Sequence, residues 1–284
     1  MKIGLVLSGG GARGFAHIGV LKILKKEGIT IDYISGSSAG ALAGACYAYD
    51  QDIDALEKLV LKIKNLRDVI DISPSFTGLS KGEKVEKYIV EYLTKEQKTV
   101  SKANLKLYSD VISYFSKKDI HYTFEDLKIP LKVNATDLKK GEEVVFEKGP
   151  LLPAIMASMS YPGFFQAKRY NDKLLVDGGV LNPLPVSLIS DDVDFLILVN
   201  VSKSGISINE KSGFRDIMFK SVSLMQKQII KKELSELKKP YVLIEPEVKG
   251  SIIDFKNIKK IIENGEVATI KALPEIKKFI QKNN

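Results

Sequence analysis

Residues 36–40 (Gly-Ser-Ser-Ala-Gly) match the G-x-S-x-G pattern that surrounds a nucleophilic serine. An apolar run precedes them and a helix pattern of small residues follows, which predicts a strand, a sharp turn and a helix. Such a turn strains the backbone of its central residue and leaves no room for side chains two positions away on either side. Ser38 is therefore a candidate nucleophile, and Gly36 and Gly40 are expected to support the turn. The alternative interpretation is a serine-rich turn that caps a helix.

A second glycine-rich segment, Gly9-Gly10-Gly11-Ala12-Arg13-Gly14, follows the apolar strand pattern that opens the chain. Its Gly9-x-Gly11-x-x-Gly14 spacing matches a dinucleotide-binding fingerprint, and Asp32 lies about where the ribose-binding acid is expected. Asp32 begins the second strand instead of ending it, however, and that strand runs on to the serine turn. The other interpretation is an oxyanion loop, in which consecutive glycine amides and the positive charge of Arg13 stabilise a developing negative charge.

A serine hydroxyl needs a base within hydrogen-bonding distance, and the two histidines are poor candidates. His17 lies one turn into the helix after the glycine loop, where packing or a structural hydrogen bond is expected, and His121 lies in a polar segment. Asp177 follows an apolar strand pattern and precedes Gly178 and Gly179, so we expect it at the sheet edge that carries the other two motifs. Desolvation raises the pKa of an aspartate above about 3.9 and can make it a base. The alternative is an ordinary Asp-Gly turn.

The composition argues against several classes of function. The chain has 284 residues, 44% hydrophobic and 27% charged, which is typical of a globular protein with a sizeable core. We expect no signal peptide, and no run approaches the roughly 20 apolar residues of a membrane span. The single cysteine, Cys46, rules out an internal disulfide, indicates a cytoplasmic location and is expected to be a small core residue. One cysteine and two histidines predict no metal site.

The formal net charge is +8, and the lysines are interleaved with glutamates along the whole chain. This distribution favours a solvated basic surface over a nucleic-acid-binding module. It leaves open peripheral contact with a membrane, and it does not determine the oligomeric state.

Alternating patterns predict an α/β fold with one domain, residues 1–284, and a mainly parallel central sheet covered by helices on both faces. Strand patterns lie at 2–8, 29–34, 130–136, 142–146, 173–176, 194–201 and 241–245, and helix patterns at 15–26, 41–48, 52–66, 81–95, 151–159 and 215–237. From about residue 203 we expect a mainly helical extension that ends in two Lys-rich helices, broken near Gly265 and Pro274. Residues 97–119 are interpreted as either a lid or an ordinary pair of peripheral helices.

The three motifs together resemble those of the patatin-like phospholipase family, whose members are acyl hydrolases with a Ser–Asp dyad. The resemblance rests on the glycine loop 9–14, the serine turn 36–40 and the Asp177-Gly178-Gly179 motif, and it extends from about residue 2 to residue 202. Shorter matches are His17-Ile18-Gly19-Val20-Leu21, Ala135-Thr136-Asp137-Leu138, Ala157-Ser158 with Pro162 and Phe165, and Asn182-Pro183.

This resemblance implies a three-layer α/β/α fold and hydrolysis of fatty-acyl esters of lipids, of the phospholipase A, lysophospholipase or carboxylesterase type, without calcium or a cofactor. It makes Ser38 the nucleophile that forms an acyl-enzyme, Asp177 the base, and the amides of Gly10 and Gly11 the main oxyanion donors. Composition suggests residues 151–165 and 97–119 as walls for the acyl chain. Two alternatives stay open: a nucleotide-binding protein that uses the glycine loop, and a lipid-binding regulatory module with weak turnover.

Overall fold

The computed structural model describes residues 1–94, 122–189, 191–202, 208–210, 212–248 and 254–283. Within them the strands are β1 (Ile3–Leu7), β2 (Tyr33–Gly36), β3 (Leu131–Asp137), β4 (Glu142–Phe146), β5 (Lys168–Tyr170), β6 (Lys173–Asp177), β7 (Phe195–Val199) and β8 (Tyr241–Ile244). The helices are α1 (Ala16–Lys26), α2 (Ala39–Asp50), α3 (Ile53–Val60), α4 (Leu66–Val69), α5 (Glu83–Thr94), α6 (Leu151–Ser158), α7 (Phe214–Glu236) and α8 (Ile258–Asn283). The predicted segment 97–119 and His121 lie outside the described residues.

The described strands form one mixed sheet, which confirms the predicted α/β class. Strands β3, β2, β1, β7 and β8 lie side by side in that order, and each neighbouring pair is parallel. Strands β4 and β6 both pair with β3 in the antiparallel direction, and β5 continues the sheet beyond β6. The sheet is therefore parallel through its centre and antiparallel at the end that begins with β3.

The edge of β3 brings two other strands end to end. Val133 pairs with Gly36 of β2 and also with β4, whereas Ala135 pairs with Asp177 of β6 and also with β4. Because a strand has only two edges, β2 and β6 must share the edge opposite β4. Strand β2 runs parallel to the first half of β3 and β6 runs antiparallel to its second half. Their carboxyl ends, which carry the serine turn and Asp177, consequently meet.

Alternate residues of the central strands face two separate apolar layers, as the period of a strand requires. Leu5 and Leu7 of β1 belong to the larger core, which also contains the buried residues of α1, α2 and α8. Val6 belongs to a smaller cluster on the other face, together with Leu198 of β7 and Ile230 of α7. Helices therefore cover both faces of the sheet, as predicted.

The prediction of two broken C-terminal helices was wrong, because α8 is continuous from Ile258 to Asn283. Gly265 is buried where α8 crosses α1, and a Cβ there would lie 2.1 Å from the Ala16 carbonyl oxygen. The glycine thus permits a close helix crossing instead of ending the helix. Leu273 and Ile276, on either side of Pro274, are both buried. Their packing holds the two halves together despite the hydrogen bond that proline cannot make.

The single helix predicted over residues 52–66 is also wrong, because α3 ends at Val60 and a separate helix, α4, begins at Leu66. The Asn65 side chain accepts a hydrogen bond from the Arg67 N–H at 2.9 Å, and Asp68 Oδ2 accepts one from the Asn65 N–H at 3.1 Å. This reciprocal capping begins a new helix at residue 66. No helix among the described residues is both long enough and apolar enough to cross a membrane.

Candidate active site

Ser38 lies in a strained turn between β2 and α2. Its φ and ψ angles are 52° and −120°, a region that residues with a side chain rarely adopt. A Cβ on Gly40 would lie 2.2 Å from the Leu7 carbonyl oxygen, and a Cβ on Gly36 would lie 2.6 Å from the Gly40 carbonyl oxygen. Both positions therefore require glycine, for the reason that the sequence pattern indicated. The Ser38 side chain makes no cap hydrogen bond, which argues against the alternative interpretation as an ordinary serine cap.

Two neighbouring elements hold the turn in place. The Ser37 N–H donates to the carbonyl of Leu7, at the end of β1, at 3.1 Å. The Ser38 N–H donates to Oγ of Ser158, at the end of α6, at 2.8 Å. Ser158 is fully buried, so this bond is shielded from water. Sequence reasoning noted Ser158 only within a family match, and no local pattern showed that its hydroxyl would reach the serine turn.

Asp177 ends β6 and is fixed by main-chain bonds on both sides. Its N–H donates to the Ser160 carbonyl at 3.0 Å, and its own carbonyl accepts from Thr136 Oγ1 at 3.1 Å. Oδ1 of the side chain accepts from the Gly179 N–H at 2.8 Å. Oδ2 is buried and has no hydrogen-bond partner among the described residues. Oδ2 is therefore the carboxylate oxygen that no main-chain N–H engages.

The carboxyl group of Asp177 has a pKa well above its ordinary value. Burial raises the pKa of Asp177 from 3.8 to about 7, and the side chain of Ser38 and the Gly179 N–H oppose that rise by stabilising the ionised form. Asp177 is 1% exposed and Ser38 is 8% exposed, and both line the same cavity. The two predicted residues thus line one cavity, and the pKa of Asp177 lies in the range that a general base at neutral pH needs.

The glycine loop borders the cavity beside Ser38. Gly9, Gly10, Gly11, Arg13 and Gly14 line it, whereas the Ala12 side chain is buried in the interior. The Gly9 N–H donates to the carbonyl of Pro183 at 2.9 Å, so this amide is already engaged. This leaves Gly10 and Gly11 as the stronger candidates for oxyanion donors.

Close packing explains the other glycines of the loop and of the aspartate motif. A Cβ on Gly14 would lie 2.3 Å from the Ala39 Cβ, and one on Gly178 would lie 2.1 Å from Asn134 Oδ1. Gln226 Nε2, on α7, donates to the Gly179 carbonyl at 2.8 Å. These contacts fix the loop against the serine turn and the Asp177 turn against β3 and α7.

The surroundings of Arg13 differ from those of a solvated loop residue. The surroundings of His17 differ from those of a catalytic histidine. Arg13 is 3% exposed, and burial lowers the pKa of its guanidinium, which still stays protonated at neutral pH. His17 Nε2 lies 2.9 Å from the Ser8 carbonyl oxygen, and burial lowers the pKa of His17 to about 4. The imidazole is therefore neutral and donates a structural hydrogen bond, as predicted.

The cavity next to Ser38 encloses about 170 Å³ and is bordered mainly by apolar side chains. Helices α2, α3 and α5 supply much of its wall, and Ile63 follows the end of α3. The side chains from these helices are Leu42, Cys46, Leu56, Leu59, Val85, Ile89 and Tyr92. Met159, Tyr161, Phe164 and Phe165 contribute from the predicted segment 151–165, and the other predicted wall, 97–119, lies outside the described residues. Sequence analysis found the amphipathic patterns of α3 and α5 but not that their apolar faces border a cavity.

Two further side chains complete the description of the site. Cys46 is buried, and burial raises the pKa of its thiol, so it is a small core residue as predicted. Asp32 Oδ2 accepts from the Ile3 N–H at 2.7 Å, at the amino end of β1. The glycine loop follows the carboxyl end of the same strand, so Asp32 lies at the opposite end of the sheet and cannot serve a nucleotide held by that loop. Among the described residues, no group of three or more His, Cys, Asp or Glu side chains could hold a metal ion.

Comparisons with known proteins agree with this geometry. The family model for patatin-like phospholipase matches residues 5–189. An uncharacterised NTE family protein of Mycobacterium tuberculosis is 33% identical over 208 residues, covering 72% of this chain and 51% of that protein. Lysophospholipase NTE1 of Kluyveromyces lactis is 30% identical over 190 residues, covering 65% of this chain and 11% of that protein. The chain thus spans about half the length of the mycobacterial relative and far less of the yeast one.

Solved structures share the fold at low sequence identity. VipD from Legionella pneumophila aligns with a TM-score of 0.62 and 17% identity, covering 96% of this chain and 67% of VipD. ExoU, in its complex with SpcU from Pseudomonas aeruginosa, aligns with a TM-score of 0.50 and 17% identity, covering 99% of this chain and 52% of ExoU. With the family model matching well over half of its length, the chain belongs to the patatin-like phospholipase family of lipid ester hydrolases.

Proposed function

We propose that this chain hydrolyses fatty-acyl esters of lipids, with Ser38 as the nucleophile and Asp177 as the general base. The observation that carries the proposal is the end-to-end meeting of β2 and β6 on one edge of β3. This arrangement places a serine in a strained turn near a buried carboxylate with a pKa of about 7, and both lie beside an apolar cavity. A weak nucleophile, a base within reach and an acyl pocket are the three parts that ester hydrolysis requires.

In the first half of the reaction, Ser38 Oγ attacks the ester carbonyl carbon while its proton passes to Asp177 Oδ2. The carbonyl oxygen becomes an oxyanion, which the amides of Gly10 and Gly11 stabilise next to the positive charge of Arg13. When the C–O bond to the alcohol breaks, the leaving oxygen takes the proton back from Asp177. The products are a free alcohol, such as a lysolipid or a glycerol derivative, and an acyl group bound to Ser38.

In the second half, water attacks the acyl-enzyme carbonyl and gives one proton to Asp177. A second oxyanion forms and collapses, the bond to Ser38 Oγ breaks, and Asp177 returns the proton to that oxygen. The fatty acid leaves and the enzyme is restored. The loop amides and Arg13 supply the positive charge at the oxyanion, so we propose that the reaction proceeds without calcium and that a chelator leaves the rate unchanged.

The acyl chain occupies the apolar cavity between α2, α3 and α5. Leu42, Leu56 and Ile89 are among the side chains that border it, and none of them carries a charge. The border also carries polar side chains, which suit contact with a glycerol or head group better than contact with an acyl tail. These are Ser202, Ser223 and Gln226. The substrate class is therefore a carboxylic ester with an apolar acyl chain. Peripheral contact with the membrane that holds such lipids, and a cytoplasmic location, stay predictions.

The experiment is reaction of the protein with a fluorophosphonate, which forms a covalent bond only with an activated serine hydroxyl. We expect one adduct, mapped to the peptide that contains Ser38, and no adduct in Ser38→Ala. Ser187→Ala is the matched control, because Ser187 also lies beside a carboxylate, Glu233, but is not expected to react with the probe. This variant should keep the adduct on Ser38. An adduct that persists in Ser38→Ala, or medium-chain esterase activity in that variant, would contradict the proposal.

The two alternatives are tested with the same proteins. A nucleotide-binding role predicts that NAD at about millimolar concentration raises the melting temperature, by mass action on the folded state. The position of Asp32 at the far end of β1 argues against that result. A regulatory module with weak turnover predicts lipid binding and probe labelling together with slow hydrolysis of every acyl ester tried.

A further inference from the structure

Two segments of the described chain carry several large apolar side chains that are exposed to solvent. In the loop before α5 these are Ile72, Phe76 and Leu79, of which Ile72 is 81% exposed and Phe76 is fully exposed. In the first three turns of α7 they are Phe214, Ile217, Met218, Leu224 and Met225, of which Phe214 is 78% exposed. We call these eight residues the rim surface. Exposed apolar groups in such number are unusual on a surface that faces only solvent, and they indicate a binding surface.

Both segments are attached to the same part of the cavity wall, residues 161–165. The N–H groups of Leu79 and Ser80 both donate to the Phe164 carbonyl, at 3.1 and 3.0 Å. From α7, the Phe219 ring packs against Tyr161 and Phe164, with ring centroids 5.9 and 6.2 Å apart. Tyr161, Phe164 and Phe219 all line the cavity. The rim surface therefore borders the cavity that the acyl chain is proposed to enter.

The first turns of α7 have two sides with different neighbours. At 100° per residue, Phe219, Ser223 and Gln226 lie on one side, and these residues line the cavity. Phe214, Met218 and Met225 lie on the opposite side and point into solvent. A helix that served only to cover the sheet would carry polar residues on that outer side. The outer apolar face therefore requires a partner of its own.

The charge that follows this apolar face indicates the partner. Further along α7 the outer side carries Gln228, Lys231 and Lys232, all exposed. The helix contains five basic and three acidic residues, and the whole chain has a formal net charge of +8. An apolar patch that continues into lysines is the pattern of a helix lying in the interface of an anionic membrane, where apolar groups enter the acyl boundary and lysines meet lipid phosphates.

We propose that the rim surface docks on a phospholipid bilayer that contains anionic lipid, so that an acyl chain passes from the bilayer into the cavity without crossing water. The inference rests on the proposed function for its purpose but concerns a different set of residues. Ile72, Phe76, Met218 and Met225 do not line the cavity among the described residues, so docking and ester hydrolysis can be measured separately.

The test is sedimentation with vesicles of phosphatidylcholine containing about one third phosphatidylglycerol, at roughly 0.1 M salt. We expect the wild-type protein to sediment with them, and to bind at least tenfold less tightly to vesicles of phosphatidylcholine alone. The variants Ile72→Ser/Phe76→Ser and Met218→Ser/Met225→Ser should each weaken binding at least tenfold. The matched control is Val267→Ser/Ile270→Ser, because these side chains on α8 are also exposed, by 50% and 53%, and lie outside the rim surface. It should bind as the wild type does.

Several results would overturn the docking proposal. These are no sedimentation of the wild type, equal binding by the rim and control variants, and equal binding to vesicles with and without phosphatidylglycerol. A wild type that is dimeric by light scattering, with monomeric rim variants that still bind vesicles, would show that the surface joins two copies of the chain instead.

Hydrolysis of a water-soluble, short-chain ester keeps this test distinct from that of the proposed function. The rim variants should hydrolyse it within about twofold of the wild-type rate while losing activity on vesicle lipids. Ser38→Ala should sediment with vesicles as the wild type does. Binding without any esterase activity would refute the proposed function alone, and activity on the soluble ester without binding would refute docking alone.

Discussion

Two serine–carboxylate pairs have a similarly raised carboxyl pKa and different surroundings. Burial raises the pKa of Asp177, beside Ser38, and that of Glu233, on α7, to about 7 in both cases. Glu233 accepts a hydrogen bond from the Ser187 N–H at 3.1 Å, so it too has a serine for a neighbour. By acidity and by neighbour, the two carboxyl groups are alike.

Their differences show what else a nucleophilic site needs. Ser187 lies in a short 3₁₀ turn, Val186–Leu188, and its hydroxyl accepts from Asn182 Nδ2 at 3.1 Å. Among the described residues, neither Ser187 nor Glu233 lines the cavity beside the glycine loop. A raised pKa therefore marks burial, and only the strained turn, the oxyanion donors and the acyl cavity make such a group a candidate base.

The largest expected difference between the pairs is in activity. Asp177→Asn should lower kcat/KM for an acyl ester by roughly 10⁴-fold, since an amide cannot take the Ser38 proton. Glu233→Gln, the matched change, should retain activity within about twofold. Initial rates with a medium-chain nitrophenyl ester measure both. A comparable loss in the two variants would mean that the pairs do not differ as proposed.

A smaller effect is expected from the residue that aligns the Ser38 turn. Ser158→Ala removes the acceptor of the Ser38 N–H, so we expect kcat to fall about 10- to 100-fold with KM little changed. Fluorophosphonate labelling should slow by a similar factor. Ser160→Ala is the matched control, because it removes a hydroxyl that donates to the Met156 carbonyl but keeps the main-chain carbonyl that accepts from Asp177. If both variants lose activity in proportion to melting temperature, Ser158 has only a structural role.

The pH dependence of catalysis should come from the Ser38–Asp177 pair alone. Because Asp177 must be ionised to accept a proton, kcat/KM should fall about tenfold per pH unit below its pKa of about 7. Glu233→Gln should keep this acid limb unchanged. If the acid limb disappears in Glu233→Gln, the titrating group is Glu233, and our assignment of the titration to Asp177 is wrong.

The smallest effect is on stability, and it belongs to Glu233. Its pKa rises on folding from 4.5 to about 7, so protonated Glu233 favours the folded state below pH 4.5, and this contribution is lost as pH rises through 7. Relative to the wild type, Glu233→Gln should therefore gain about 1 kcal/mol in the free energy of unfolding between pH 5 and pH 8. Urea denaturation at the two pH values measures the difference, and no relative gain would show that the carboxyl group is not held protonated.

The sequence alone determined the parts of this protein that depend on local chemistry. The turn at Ser38 could be predicted because only glycine fits at Gly36 and Gly40, where main-chain atoms come within 2.6 and 2.2 Å of a Cβ position. The α/β class followed from the alternating strand and helix patterns, and the structural role of His17 followed from its place on α1. Each of these inferences needs only neighbours along the chain or a fixed motif.

Tertiary structure decided what depends on contacts between distant segments. The antiparallel direction of β6, the bond from Ser38 to Ser158 and the continuity of α8 through Pro274 all depend on packing partners far along the chain. The apolar faces of α3 and α5 looked like ordinary core faces, because periodicity shows which side of a helix is apolar but not whether a protein core or a cavity lies against it. The same limit applies to α7, where only the folded chain shows that one side borders the cavity and that the apolar side faces solvent.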